Sequence, residues 1–106
     1  MRRGSTPDYM LTVAGYDLTS CTTYLTIEQY ANQLNLTGNR LTITYDGSAS
    51  TIIFSLTQEE TLAFNSGGAD VQVRFIDSQG KAYVTDIQTM NIRPVLFEEV
   101  IEYVGE

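Results

Sequence analysis

The chain of 106 residues is long enough for one core and too short for two, and its hydrophobic fraction of 42% suits a packed domain. Thirteen acidic residues against six basic ones give a formal charge of -7, which disfavours nucleic-acid phosphates and anionic membranes as partners. With no histidine, a single cysteine and no apolar run near the roughly 20 residues that span a bilayer, the sequence lacks the commonest general base and metal ligand and excludes an internal disulfide.

The stretch "MRRGSTPDYM" opens on two arginines, but Gly4, Ser5, Thr6 and Pro7 stand where a signal peptide needs an apolar segment. Residues 1–8 are therefore expected to be a flexible arm on an unexported chain, followed by a domain over 9–94 and a tail over 95–106. Thr, Ile, Val and Tyr alternate with polar residues, and turn signals recur about every ten residues, which predicts an all-β sandwich. "YMLTVAG" is the first strand, with Leu11 and Val13 on one face. "TTYLTIEQY" follows, with Leu25 and Ile27 on one side and Tyr24, Thr26, Glu28 and Tyr30 on the other.

"ANQLNLTGN" reads as a loop carrying a short extended piece at Leu34 and Leu36. "RLTITYDG" places Leu41, Ile43 and Tyr45 inward and ends on Asp46-Gly47, a tight-turn signal. "STIIFSL" returns with Ile52, Phe54 and Leu56 on one face, making 40–56 a hairpin. "DVQVRFID" buries Val71, Val73 and Phe75, and "DSQGK" is a turn. In "AYVTDIQTMNI" the phase changes, Tyr83, Thr85 and Ile87 giving way to Met90 and Ile92. A β-bulge near Gln88 reconciles the two, because one extra residue moves every later side chain to the other face. Pro94 ends that strand. The tail "VLFEEVIEYVGE" reads equally as a last strand or as a short amphipathic helix.

The adjacent carboxylates of "LTQEETLAF" pose the question of chemistry. Thr57 and Glu60 have the spacing of a capping box, in which the hydroxyl accepts from the third helical amide and the carboxylate accepts from the cap amide. Adjacent residues of a helix point about 100° apart, whereas a pair of glycosidase acids must face each other across a cleft. A single helical crossover at about 57–63 is thus expected, with Leu56, Leu62 and Phe64 as its anchors. Asp46, Asp70, Asp77 and Asp86 form no calcium-loop motif and read as turn formers and solvated ends. Cys21 has no histidine to activate it and reads as an ordinary small hydrophobe near the start of a strand. Nucleotide-binding and hydrolase motifs are missing. No catalytic residue, metal or cofactor is expected.

Two groups remain as contact candidates. Tyr24 and Tyr30 present outward rings, suited equally to cross-strand pairing and to a protein or sugar contact. Val95, Phe97, Ile101 and Tyr103 lie in an apolar terminal segment that is expected to dock on its own body or on a neighbouring subunit.

The order of "DLTS", "TYLTI", "LTQEETLAF", "VQVRFIDSQGKAYVTDIQTMNI" and "VLFEEVI" resembles small domains encoded in tail and baseplate modules of phages and prophages of Gram-positive hosts. It is similar to the N-terminal Ig-like domain of upper baseplate proteins over roughly residues 11 to 101. The resemblance implies an Ig-like antiparallel sandwich, a non-enzymatic role, and self or other phage structural proteins as partners. It places the chain in the host cytoplasm during assembly and then in the virion, with no small-molecule ligand. The chain has neither the cysteine pair nor the tryptophan of immunoglobulins proper. A carbohydrate- or surface-binding module using exposed tyrosines is the alternative.

Overall fold

Side-chain alternation decides the architecture. The computed structural model describes residues 1–93. They form β1 (Asp8–Ala14), β2 (Thr22–Gln29), β3 (Asn32–Thr37), β4 (Leu41–Tyr45), β5 (Ala49–Ser55), one short helix α1 (Gln58–Leu62), β6 (Gly67–Ile76), β7 (Ala82–Val84) and β8 (Gln88–Ile92). One antiparallel sheet has the order β1-β5-β4, and the other runs β3-β2-β6-β7 with β8 also on β6. Leu25, Ile27, Ile52, Phe54, Val73 and Phe75 fill the single core between the sheets, as the period-two pattern predicts.

Among the described residues the order is that of an immunoglobulin-type sandwich with the place of its first strand unfilled. Taken along the chain, β1 to β6 stand where strands B, C, C′, D, E and F stand, and β7 with β8 shares the place of G. The helix α1 carries the chain from β5 to β6, hence from one sheet to the other. The expected crossover is there, its Thr57 and Ala63 caps matching the 57–63 range.

The phase change in "AYVTDIQTMNI" is a true shift of register. Phe75 faces Tyr83 and Val71 faces Gln88, so four steps along β6 oppose five along its partner. The extra residue lies in the break between β7 and β8. There the Thr85 hydroxyl accepts from the Val73 amide (3.0 Å), the Thr85 amide donates to the Val73 carbonyl (2.9 Å), and Gln72 Nε2 donates to the Thr85 carbonyl (2.9 Å). Beyond it Ile92 is buried and Met90 half-buried, while Ile87 is exposed.

Three expectations change. "ANQLNLTGN" is mostly strand, because β3 pairs with β2 from Gln29↔Asn32 to Tyr24↔Thr37. The hairpin turns at Tyr30-Ala31, a dipeptide with no turn chemistry, and Tyr30 takes a left-handed φ of 53° that costs a non-glycine residue about 1 kcal/mol. Tyr45, expected inward, is exposed at the end of β4, its hydroxyl donating to the Gly47 carbonyl (3.0 Å).

Residues 1–8, expected to be a flexible arm, lie against the body. The Arg3 amide donates to the Arg93 carbonyl (3.0 Å) and the Arg93 amide to the Met1 carbonyl (2.6 Å), a parallel bridge beside the end of β8. Arg3 also donates to the Leu62 carbonyl (2.9 Å), and the Leu56 amide donates to the Pro7 carbonyl (3.2 Å). Backbone groups near a sheet edge find partners where they can, and polar composition alone does not reveal that edge. The tail residues Val95, Phe97, Ile101 and Tyr103 lie outside the described residues.

Candidate functional site

The "LTQEETLAF" turn answers the question of the paired acids. The Glu60 amide donates to the Thr57 hydroxyl (3.2 Å) and the Thr57 amide donates back to Glu60 Oε1 (2.9 Å), completing the capping box. Arg40, in the link between β3 and β4, then clasps the same carboxylate with both guanidinium nitrogens, at 2.6 and 3.0 Å. Glu60 is fully engaged, and Glu59 faces solvent. Sequence reading found the cap and missed the clasp, since Arg40 is twenty residues away. It also missed Thr61, which is fully buried, with its hydroxyl donating toward the Ser5 (2.9 Å) and Gln58 (3.2 Å) carbonyls.

The hydrogen bonds from Arg40, helped by the Thr57 amide and opposed by partial burial, hold the Glu60 carboxyl below the usual glutamate range. A carboxyl with a lowered folded pKa binds its proton more readily when unfolded. Its contribution is therefore present above the ordinary value of 4.5 and is lost as pH falls through the lower folded value. Thermal melts taken from neutral pH down through the carboxylate range should show Glu60→Gln less stable than the parent near neutrality, the difference shrinking on acidification. A gap that stays constant with pH would remove the ion pair as its cause.

The remaining sequence candidates stay apart. Asp46 Oδ1 accepts from the Ser48 and Ala49 amides at 2.9 Å, which hold its carboxyl below the ordinary range, and Asp77 Oδ1 accepts from the Gln79 and Lys81 amides. Both are turn formers. Among the described residues no three acidic, cysteine or histidine side chains gather to hold a metal ion. Burial, with Asp77 and Asp17 adding to it, pushes the Cys21 thiol up, away from the reactive thiolate. No described helix is long and apolar enough to cross a membrane.

The tyrosines do not assemble into one surface. Tyr24 is half-exposed on the outer face of the five-stranded sheet, where β2 places it between Thr37 and Arg74. A shallow groove there is lined by Tyr24, Thr26, Asn35, Arg74, Ile76 and Tyr83. Tyr30 sits in the turn at the far end of β2, about 20 Å along the strand, and Tyr45 belongs to the other sheet.

Sequence reading passed over the outer face of the three-stranded sheet. Met10, Ile53 and Thr42 form one row across it, and Thr12, Thr51 and Thr44 form the next. Met10 is 71% exposed and Ile53 is 38% exposed. Residues 9–14, 41–45 and 49–55 contain no charged residue, and the charges of this face, Asp8 at the start of β1 and Arg40, flank Ser55 at its end. That absence of charge was the readable signal. A scan against protein-family models finds no match to the chain, and neither does a search of curated proteins.

Proposed function

We propose that the protein is a non-enzymatic structural module of a phage or prophage particle, a tail or baseplate component that acts through protein–protein contacts. The observation that carries this reading is the uncharged patch of the outer face around Met10, Ile53, Thr12, Thr51, Thr42 and Thr44, bounded at one end by Asp8 and Arg40. Interface cores are depleted of charge and enriched in Met. On an acidic protein, such a patch lets another protein surface approach with only Asp8, at its border, as a carboxylate to desolvate. The Ig-like strand order and the helical crossover fit the baseplate resemblance. The reading includes assembly in the host cytoplasm followed by residence in the virion. Particles purified from an induced host should contain the chain in a fixed ratio to the major tail protein by quantitative mass spectrometry. Its absence from intact particles would sink the reading.

One observation favours a second reading, a carbohydrate-binding module. The Tyr24 ring lies beside Arg74 and the polar Thr26 and Asn35 in an open groove, and aromatic faces with polar neighbours suit sugar rings. On this reading Tyr24→Ala abolishes binding on a glycan array, while Tyr30→Ala, at the other end of β2, leaves it intact. An array without hits for the parent chain rejects it.

A further inference from the structure

We propose that β1 pairs with β1 of a second copy of this chain, antiparallel and centred on Leu11, so that two three-stranded sheets become one of six strands. The proposal rests on the reading of the protein as a contact-forming module, and it names the strand, the register and the partner.

Among the described residues β1 has one hydrogen-bonded neighbour in its sheet, β5. The Leu56 amide donates to the Pro7 carbonyl and the Gly15 amide donates to the Ser48 carbonyl, on the same register that pairs Leu11 with Ile52. Odd-numbered positions therefore direct their backbone groups at β5. By the alternation of an antiparallel ladder, Asp8, Met10, Thr12 and Ala14 direct theirs to the open side. This is the side on which an immunoglobulin sheet carries its first strand. Residues 1–3 lie elsewhere, against the end of β8.

The strand is self-complementary about Leu11. A two-fold axis there sets Met10 opposite Thr12 and Asp8 opposite Ala14 of the other copy. All four outward amides then meet carbonyls, and no acidic side chain faces another. On the outer face, Met10 extends the uncharged Met10–Ile53 row into the second copy. On the inner face, the half-buried Leu11 meets its own counterpart at the mouth of an open groove, where Tyr16, Phe75 and Val84 lie beside Asp86 and Gln88.

The other edges are less suited. The outer side chains of β3 hydrogen-bond within their own sheet, Gln33 Nε2 donating to Glu28 and Asn35 Oδ1 accepting from the Thr26 hydroxyl. β4 is shorter, and Arg40 at its start is held by Glu60. By contrast β1 has seven residues, with its one charge, Asp8, at the first position and no lysine, proline or bulge to protect the edge. Each copy carries a charge of -7, so added salt strengthens the association by screening the repulsion between bodies.

Sedimentation velocity across a dilution series, combined with amide hydrogen exchange, tests the pairing. The parent chain should dimerise reversibly, with the Met10 and Thr12 amides protected in the dimer and exchanging freely on dilution. Met10→Lys, at an exposed position that leaves the circular dichroism spectrum unchanged, should weaken association at least about tenfold. Thr44→Lys, on the same face but on β4, should leave it unchanged. A parent chain that stays monomeric throughout overturns the proposal, as does an equal effect of the two lysines. Dimers with freely exchanging Met10 and Thr12 amides also overturn it, placing the contact elsewhere on a protein that still associates. Protection of those amides in a monomer overturns it too, by giving the edge to a segment of the same chain such as 95–104. Particle incorporation is measured separately, so a monomeric chain found in virions rejects the β1 pairing and keeps the proposed function.

Discussion

Replacing Phe64 with alanine is expected to lower the free energy of unfolding by about 3–5 kcal/mol. Phe64 is 1% exposed and, among the described residues, is the largest of the fully buried side chains. It follows the single turn of α1, so its ring is the anchor that fixes where the crossover lands between the sheets. It shares one core cluster with Leu56 before the helix and Val71 after it. Deleting the ring removes its transfer free energy and leaves a cavity that two hydrogen-bonded sheets cannot close. A domain of this size has roughly 5–15 kcal/mol in all, so the variant should be marginal at ambient temperature. Phe64→Leu, which keeps most of the volume, should recover most of the loss. Urea unfolding measures both. A loss below about 1 kcal/mol for Phe64→Ala would mean that the ring is not held between the sheets.

Much of this fold is legible from residue alternation and turn chemistry, because those are local. Asp46-Gly47 and Asp77–Gly80 announce their turns, Thr57 and Glu60 announce the helix, and the slip between Tyr83 and Ile92 announces the bulge. The illegible features depend on what comes from elsewhere in the chain. Tyr30-Ala31 turns because Leu34 and Leu36 must return along β2, not because those two residues favour a turn. The clasp of Arg40 on Glu60 and the docking of residues 1–3 beside β8 join segments that nothing in the sequence links. The candidate surface was missed for a related reason. Attention to tyrosines and carboxylates passes over a patch defined by the lack of charge, and only strand order sets Met10, Ile53 and Thr42 side by side.

Gln29 marks the strongest departure from the local rules, since it is a polar side chain at a core position of β2, only 4% exposed. Its Oε1 accepts from the Asn65 amide (2.7 Å), and its Nε2 donates to the carbonyls of Asn65 (2.8 Å) and Gly68 (3.3 Å). One amide donor and two carbonyl acceptors fix which way the side chain lies. In effect Gln29 pins the loop after Phe64 to β2, exactly where β6 must enter the five-stranded sheet. Gln29→Leu keeps the volume and strands those backbone groups, each orphan costing about 1–3 kcal/mol when buried. With water able to reach part of the site, a net loss of roughly 2–4 kcal/mol is expected.

Gln29→Glu separates hydrogen bonding from packing. A carboxylate accepts from the Asn65 amide but has no proton for either carbonyl, so it should be the worse variant near neutral pH. Buried beside two carbonyls, its folded pKa is raised above the unfolded value, so the folded state binds the proton more readily. Stability should therefore rise as pH falls through the raised folded value, opposite in sign to the Glu60 contribution. Protonation restores one donor, so recovery should be partial. A Gln29→Leu loss within about 0.5 kcal/mol of zero, or a Gln29→Glu variant insensitive to pH, would show that the loop holds its place without this side chain.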